Sequence, residues 1–393
     1  MFVQTNRKMR ALDYLGASET QTSAQAQHVA SPRCIQPVQG LGLDSGTAET
    51  KLLHFRQIGE SVETSVLTTL PSLKGLFGPE AEEDTEGRLE SLKSTINEAV
   101  AQIKPAYCFA GVTSWYRTSS ASERQGLDDF FAAELPGFKL LKLTGEEEAR
   151  YESIAVGFAA EKSCIGVPDM QISAGGGSMQ LVQGESLFSI EEGFRKGQSQ
   201  LMAGTEPRAK VCGQLQNNAH SAFTEFKEKH QNFAVNDGMK VVCISAAYYC
   251  AKGAGVDCSG APVKGAVALA QFRAKLEALT QCSSFTDSPN LPLPKKTAQE
   301  IANLTIFCEC FEQLVHPNAI VYFKREWVLD NVPFITTWSA GYFLRNCSSN
   351  KMCHPIEETR GVTAENPPAD LPPKKNTISE ILSKTCRSLF GFV

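Results

Sequence analysis

Apolar positions first fall into strand-length runs at Ile35–Leu43 and Lys51–Phe55, with a polar turn between them. The period then changes. Leu89, Leu92, Ile96, Val100 and Ile103 repeat at helical spacing behind an acidic stretch (Glu80, Glu82, Glu83, Asp84, Glu86) that suits the positive end of a helix dipole. Pro105 closes this helix, and Tyr107–Val112 reads as a buried strand. A helix over Gly126–Leu135 and a strand over Phe138–Leu143 follow. Thr144-Gly-Glu-Glu147 has the spacing of a capping box and opens a helix through Tyr151, Ile154, Ala155 and Phe158. Met170–Val182 reads as two strand pieces around Gly175-Gly176-Gly177. The second half repeats the theme: a strand at Val241–Ser245, a second capping box at Thr297-Ala-Gln-Glu300 before a helix, and a strand at Ala319–Phe323.

Alternating strands and helices in two halves predict an α/β architecture with helix-flanked sheets. The ends read differently. Residues 1–35 are polar, rich in Gln, Ser, Thr and Ala, and are expected to be a disordered extension. Residues 348–393 carry Pro367, Pro368, Pro372 and Pro373 with lysines and read as a tail, with a short amphipathic helix expected over Ile378–Val393. Between them we expect one lobe over 36–160 and another over 161–347.

The 393 residues suit two lobes of ordinary size, and 42% apolar residues supply their cores. A net charge of −5 argues against broad nucleic-acid binding, which needs a basic surface. The 13 cysteines show no CxxC pair, so a zinc site is not expected; buried thiols and partial disulfides remain alternatives. Met1–Arg10 lacks the apolar region of an ordinary signal peptide, and no apolar run reaches membrane-spanning length.

Four stretches carry candidate chemistry. In Leu43-Asp44-Ser45-Gly46-Thr47-Ala48-Glu49-Thr50-Lys51 a strand delivers an Asp into a Gly turn with hydroxyls and a cation nearby. Such a turn can aim N–H groups at a phosphate, and Asp44 can hold a divalent cation; an ordinary hairpin turn would also favour these residues. Ala110-Gly-Val-Thr113-Ser-Trp-Tyr-Arg117 offers hydroxyls and an Arg at the C-terminal edge of a strand. In Thr144–Tyr151 the cap explains Glu147 but not Glu148, which makes Glu148 the better candidate for a base that activates water. Ser173-Ala-Gly175-Gly176-Gly177-Ser178-Met-Gln180 permits close approach of backbone to a ligand. Tyr248, Tyr249 and Trp327 are read as core packing rather than base stacking, and His54 as a packing or surface residue.

Taken in order, these four motifs closely resemble the nucleoside-diphosphatase/apyrase family and, beyond it, the exopolyphosphatase/guanosine-pentaphosphatase family. Both belong to the actin–hexokinase-like superfamily. The resemblance covers about residues 38–345. It is weaker in the second half, where Ser245–Gly253 and Trp338-Ser-Ala-Gly341-Tyr-Phe-Leu344 look like late apyrase motifs. It implies a two-lobed actin-like (ribonuclease H-like) ATPase fold with a cleft between the lobes. It also implies hydrolysis of nucleoside tri- and diphosphates with Ca²⁺ or Mg²⁺. By motif position, Glu148 matches the catalytic carboxylate and Gln180 a Gln close to the attacking water. Asp44 matches the acid near the metal. Gly46, Thr47, Lys51, Thr113, Arg117, Gly175, Gly176, Gly177 and Ser178 match phosphate-binding positions. The family also places members in secretory compartments, whereas the start of this chain points to the cytosol.

Two positions depart from that pattern. Ser173 stands where the family has a metal-site Asp, and Asp169, roughly 13 Å further along a strand, cannot replace it. Ala48 and Glu49 occupy the first loop, and Glu49 would repel phosphate unless it points outward. A catalytically impaired nucleotide-binding protein and an exopolyphosphatase or guanosine-pentaphosphate phosphatase are the alternatives these residues leave open.

Overall fold

A computed structural model of the chain describes residues 37–46, 49–77, 84–163, 165–175, 178–190, 193–204, 206–231, 233, 235–281 and 291–347. The expected extension, the tail, the terminal helix, and the site candidates Thr47, Gly176 and Gly177 lie outside them.

The first sheet has the order β3-β2-β1-β4-β5, from β1 (Val38–Ser45), β2 (Glu49–Ile58), β3 (Ser61–Pro71), β4 (Tyr107–Val112) and β5 (Lys139–Lys142). Strands β1, β2 and β3 form an antiparallel meander, while β4 and β5 run parallel to β1. The second sheet has the order β10-β11-β9-β6-β7-β8. Its members are β6 (Met170–Ala174), β7 (Met179–Gln183), β8 (Ser186–Ile190), β9 (Lys240–Ser245), β10 (Val263–Lys264) and β11 (Ile320–Lys324). Here β6, β7 and β8 are antiparallel, and β9 and β11 continue parallel to β6. Apart from the added β10, the second sheet repeats the strand order and directions of the first.

Alternation within β1 explains its two faces. Leu41 and Leu43 point into a core with Ala110, Val112 and helices α1 (Thr85–Ile103) and α3 (Ala121–Glu134). Helix α2 (Ser114–Thr118) follows β4 directly. The other face of the first sheet meets α4 (Gly145–Lys162) and the last described helix, α10 (Trp338–Asn346), around Phe55, Phe109 and Phe343. The same core includes Val242 and Ile244 of β9, so it joins the two sheets. A third core covers the far face of the second sheet, beneath α6 (Arg208–Lys229), α7 (Ala246–Gly253), α8 (Gly265–Thr280) and α9 (Lys295–Leu314). Helix α5 (Gly193–Ala203) precedes α6, and the hairpin β12 (Trp327–Leu329)–β13 (Val332–Phe334) leads into α10.

The first capping box forms as expected: Thr144 Oγ1 accepts from the Glu147 N–H at 3.1 Å, and Glu147 Oε2 accepts from the Thr144 N–H at 2.9 Å. The second does not. Helix α9 begins at Lys295 with Pro294 before it, which leaves Thr297 inside the first turn with no capping bond. Proline at the helix entrance fixes the starting φ and wins over the hydroxyl. Helix α3 starts earlier than expected, capped by Ser120, whose hydroxyl accepts from the Glu123 N–H at 3.2 Å.

Candidate active site

The two hairpins β1–β2 and β6–β7 are built alike. In the first, the Gly46 N–H donates to the Glu49 carbonyl at 3.0 Å; in the second, the Gly175 N–H donates to the Ser178 carbonyl at 2.8 Å. Asp44 pairs across with Lys51, and Ser173 with Gln180. Asp44 and Ser173 thus hold equivalent places, each two residues before the first turn glycine. The N–H groups of Gly46 and Gly175 thus each close their own turn.

Asp44 lies on the β1 face that looks towards α10, and the Trp338 indole donates to its Oδ1 at 2.7 Å. This approach requires Gly111 beside it, because a Cβ there would overlap the Trp338 ring. Burial raises the Asp44 carboxyl; Lys51 and the Trp338 bond oppose the rise. Burial would lower the Lys51 ammonium, but Asp44 and Glu49 outweigh it and raise it. Lys51 Nζ lies 3.1 Å from Glu49 Oε1, so Glu49 answers the cation of the first loop. Ser45 and Thr50 share a buried hydroxyl–hydroxyl bond at 3.1 Å, and the Ser45 carbonyl accepts from the Trp115 indole at 2.9 Å.

Thr113 is buried at the end of β4 and makes no capping bond to α2. Arg117 donates from Nη1 to the Leu143 carbonyl at 2.8 Å, and the same nitrogen lies 3.6 Å from Glu148 Oε2. Arg117 therefore ties the second motif to the third. With Glu147 engaged in the cap, Glu148 lies on the buried side of α4 and is only 9% exposed.

The inner face of the second sheet is polar where α4 crosses it. Ser173 and Gln180 are paired neighbours there, and Gln180 Nε2 donates to Ser178 Oγ at 2.7 Å. The structure thus brings Gln180 and Ser178 together with Ser173, as part of the same face that α4 covers. Glu152, one helical turn beyond Glu148, is 6% exposed and neighbours Ser173. Burial first, then the Glu148 charge, push its carboxyl well above the usual range, against the Ser173 hydroxyl; Asp44 adds to the rise. Sequence reasoning missed Glu152. Its signal was position: the buried side of α4 runs Glu148, Glu152, Ala155, Val156, Ala159, which puts Glu152 on a face otherwise filled by small apolar residues.

Asp169 is far from these groups, accepting from the Lys240 N–H at 2.7 Å at the other end of β6. His54 meets Gln39 at 3.0 Å and takes no part. Tyr248 packs on the second-sheet core and Trp327 is buried, as expected. Tyr249 is not a core residue: it is 55% exposed, faces Arg325 at 5.7 Å and interacts with Lys51. Alternation within helix α7 sends one tyrosine inward and its neighbour outward.

Among the described residues no three His, Cys, Asp or Glu side chains close into a metal cage. A small hard cation does not need one. It keeps several waters and takes one or two carboxylates together with phosphate oxygens. Asp44 and the Glu152 Oε2 atom, which is buried without a hydrogen-bond partner, fit that donor set.

No protein-family model and no curated protein matches the sequence. Solved structures match its fold. A Ppx/GppA family member from Aquifex aeolicus aligns over 79% of this chain and 98% of its own, at 13% identity and a TM-score of 0.54. An exopolyphosphatase from Cytophaga hutchinsonii aligns over 78% and 97%, at 14% identity and 0.52. An exopolyphosphatase-like protein aligns over 79% and 97%, at 13% identity and 0.55. The chain therefore has the actin-like ATPase fold, two mixed sheets flanked by helices, that these Ppx/GppA structures share.

Proposed function

We propose that this chain hydrolyses the terminal phosphoanhydride bond of nucleoside tri- and diphosphates, with a divalent cation, Ca²⁺ or Mg²⁺, as cofactor. The observation that carries the reading is Glu148: a nearly buried carboxylate, left over from its helix cap, held by Arg117, and beside Glu152, which in turn neighbours Asp44 and Ser173 of the two glycine-turn hairpins. In this reading Glu148 takes the proton of a water attacking the terminal phosphorus, and Gln180 and Ser178 orient that water. Lys51, Thr113 and Arg117 contact the phosphates. Asp44 would hold the cation, which when bound neutralises charge on the phosphate oxygens. Tyr249 with Arg325 offers an exposed aromatic face near Lys51 where a base can stack, and this favours nucleotides over bare polyphosphate.

Polyphosphate hydrolysis has separate support, since solved neighbours of this fold are exopolyphosphatases. Loss of catalysis has support in Ser173. Phosphate release from a panel of nucleoside di- and triphosphates and polyphosphate, with Ca²⁺ or Mg²⁺, separates the three. Glu148→Gln should cost at least about 100-fold, the scale of a lost general base. Release only after Ser173→Asp would make the natural chain a binding protein. Neither release nor nucleotide binding would overturn the proposal.

A further inference from the structure

We propose that Glu152 supplies the second carboxylate of the cation seat, reaching from α4 into the place left by a serine at position 173. The inference rests on the hydrolase reading above, because it concerns the same site.

The two hairpins are equivalent, yet one presents Asp44 and the other only the Ser173 hydroxyl. Glu152 of α4, buried over β6, is a neighbour of that hydroxyl. It stands just past the Thr144–Tyr151 run, so motif matching alone does not find it. Its Oε2 atom is buried without a hydrogen-bond partner. Nearby cations are engaged elsewhere: Arg117 lies against Glu148, and Lys51 against Glu49 and Asp44. Glu152 therefore sits among carboxylates, in electrostatic contact with Glu148 and Asp44, and forms no ion pair among the described residues. A buried carboxylate in that situation is costly unless a charge or hydrogen bonds answer it. A hydrated divalent cation between Asp44 and Glu152, with the Ser173 hydroxyl beside it, supplies both.

The test is a Mn²⁺ titration of the cation-stripped full chain, read by the paramagnetic resonance signal of the free aquo ion, with and without a methylene-bridged ATP analogue. Glu152→Gln should weaken Mn²⁺ binding at least tenfold. Glu152→Gln with Ser173→Asp should bring it back to within a few-fold of the natural chain. Glu161→Gln, an exposed acid on the same helix, should leave it unchanged. Melting of the cation-free protein guards against misfolding: Glu152→Gln should melt no lower than the natural chain. If that variant does not fold, Glu152→Asp is read in the same way, with a smaller loss expected. Mn²⁺ affinity unchanged in the folded Glu152 variant, or no Mn²⁺ bound by the natural chain, overturns the proposal. If Glu148→Gln still abolishes phosphate release in that case, the hydrolase reading stands and only this seat is lost. If Mn²⁺ binding depends on Glu152 but no substrate is hydrolysed, the seat stands and the hydrolase reading fails.

Discussion

Arg117 reaches the Leu143 carbonyl at 2.8 Å and the Glu148 carboxylate at 3.6 Å, so one guanidinium fixes both the backbone entering α4 and the candidate base on it. Its planar fork does this in a way that an ammonium cannot copy. Arg117→Lys should therefore lower kcat by about 10-fold, and Arg117→Met by more, when turnover is followed on the best substrate of the panel. If Arg117 only packed the loop, Lys would be nearly neutral. Lys51 presents the opposite case. Glu49 sits on it at 3.1 Å with both side chains partly exposed, an arrangement worth at most about 1 kcal/mol. Glu49→Gln should free the cation and lower KM by a few-fold with kcat unchanged, as seen in initial rates at low salt. His54 carries a pH effect of its own. Burial, then the Arg56 charge, lower its imidazole below the ordinary 6.5. The unfolded chain thus binds this proton more tightly, so the histidine's contribution is full above 6.5 and is lost as pH falls through and below it. Chemical denaturation of His54→Gln against the natural chain should show a difference that narrows on acidification.

Helix α10 shows what a sequence motif means once its neighbours are known. Trp338 caps the Asp44 carboxylate, and three residues later a Cβ on Gly341 would collide with the Tyr151 backbone carbonyl of α4. The spacing of tryptophan and glycine is therefore the spacing between the hairpin that bears Asp44 and the helix that bears Glu148. Gly341→Ala should push the two helices apart at about 1–3 kcal/mol, the usual cost of overpacking, and lower the melting temperature accordingly. Elements of this kind were legible where local chemistry decides them. The Thr144 box, the β1 and β4 strands and the glycine turns of both hairpins carry their instructions within a few residues. Thr297 misled because Pro294, three residues earlier, took the cap position and set the helix start. Strand β3 was missed because an edge strand with Glu63, Ser65 and Thr68 among its residues lacks an apolar run to announce it. Glu152 was missed for another reason: it matters through Ser173, a partner 21 residues along the chain, and only the crossing of α4 over β6 brings them together.

The halves of the molecule repeat one topology, and besides a core of its own each contributes to one they share. Phe55 stacks on Phe109 and Phe343 at ring separations of 5.6 and 5.0 Å, and their cluster continues into Val242 and Ile244 of the second sheet. Unfolding either half exposes this shared apolar surface on the other, so the body over residues 37–347 should lose structure in one transition. Two sets of native probes are already in place. Trp115 is buried in the first-sheet core, with Trp338 on the inner face. Cys243 and Cys310 are buried in the second-sheet core, where burial raises both thiols and withholds the reactive thiolate. Cys243 and Cys310, like every cysteine among the described residues, are free thiols. Tryptophan fluorescence and peptide-mapped alkylation of Cys243 and Cys310 should follow the same denaturant curve. Phe343→Ala, which removes a ring from the shared core, should cost about 3–5 kcal/mol and move both curves together. A variant that shifts the fluorescence curve while leaving the cysteines protected would mean that the two sheets are stabilised independently, and the placement of Asp44 relative to Glu148 and Glu152 would then have no common core to hold it.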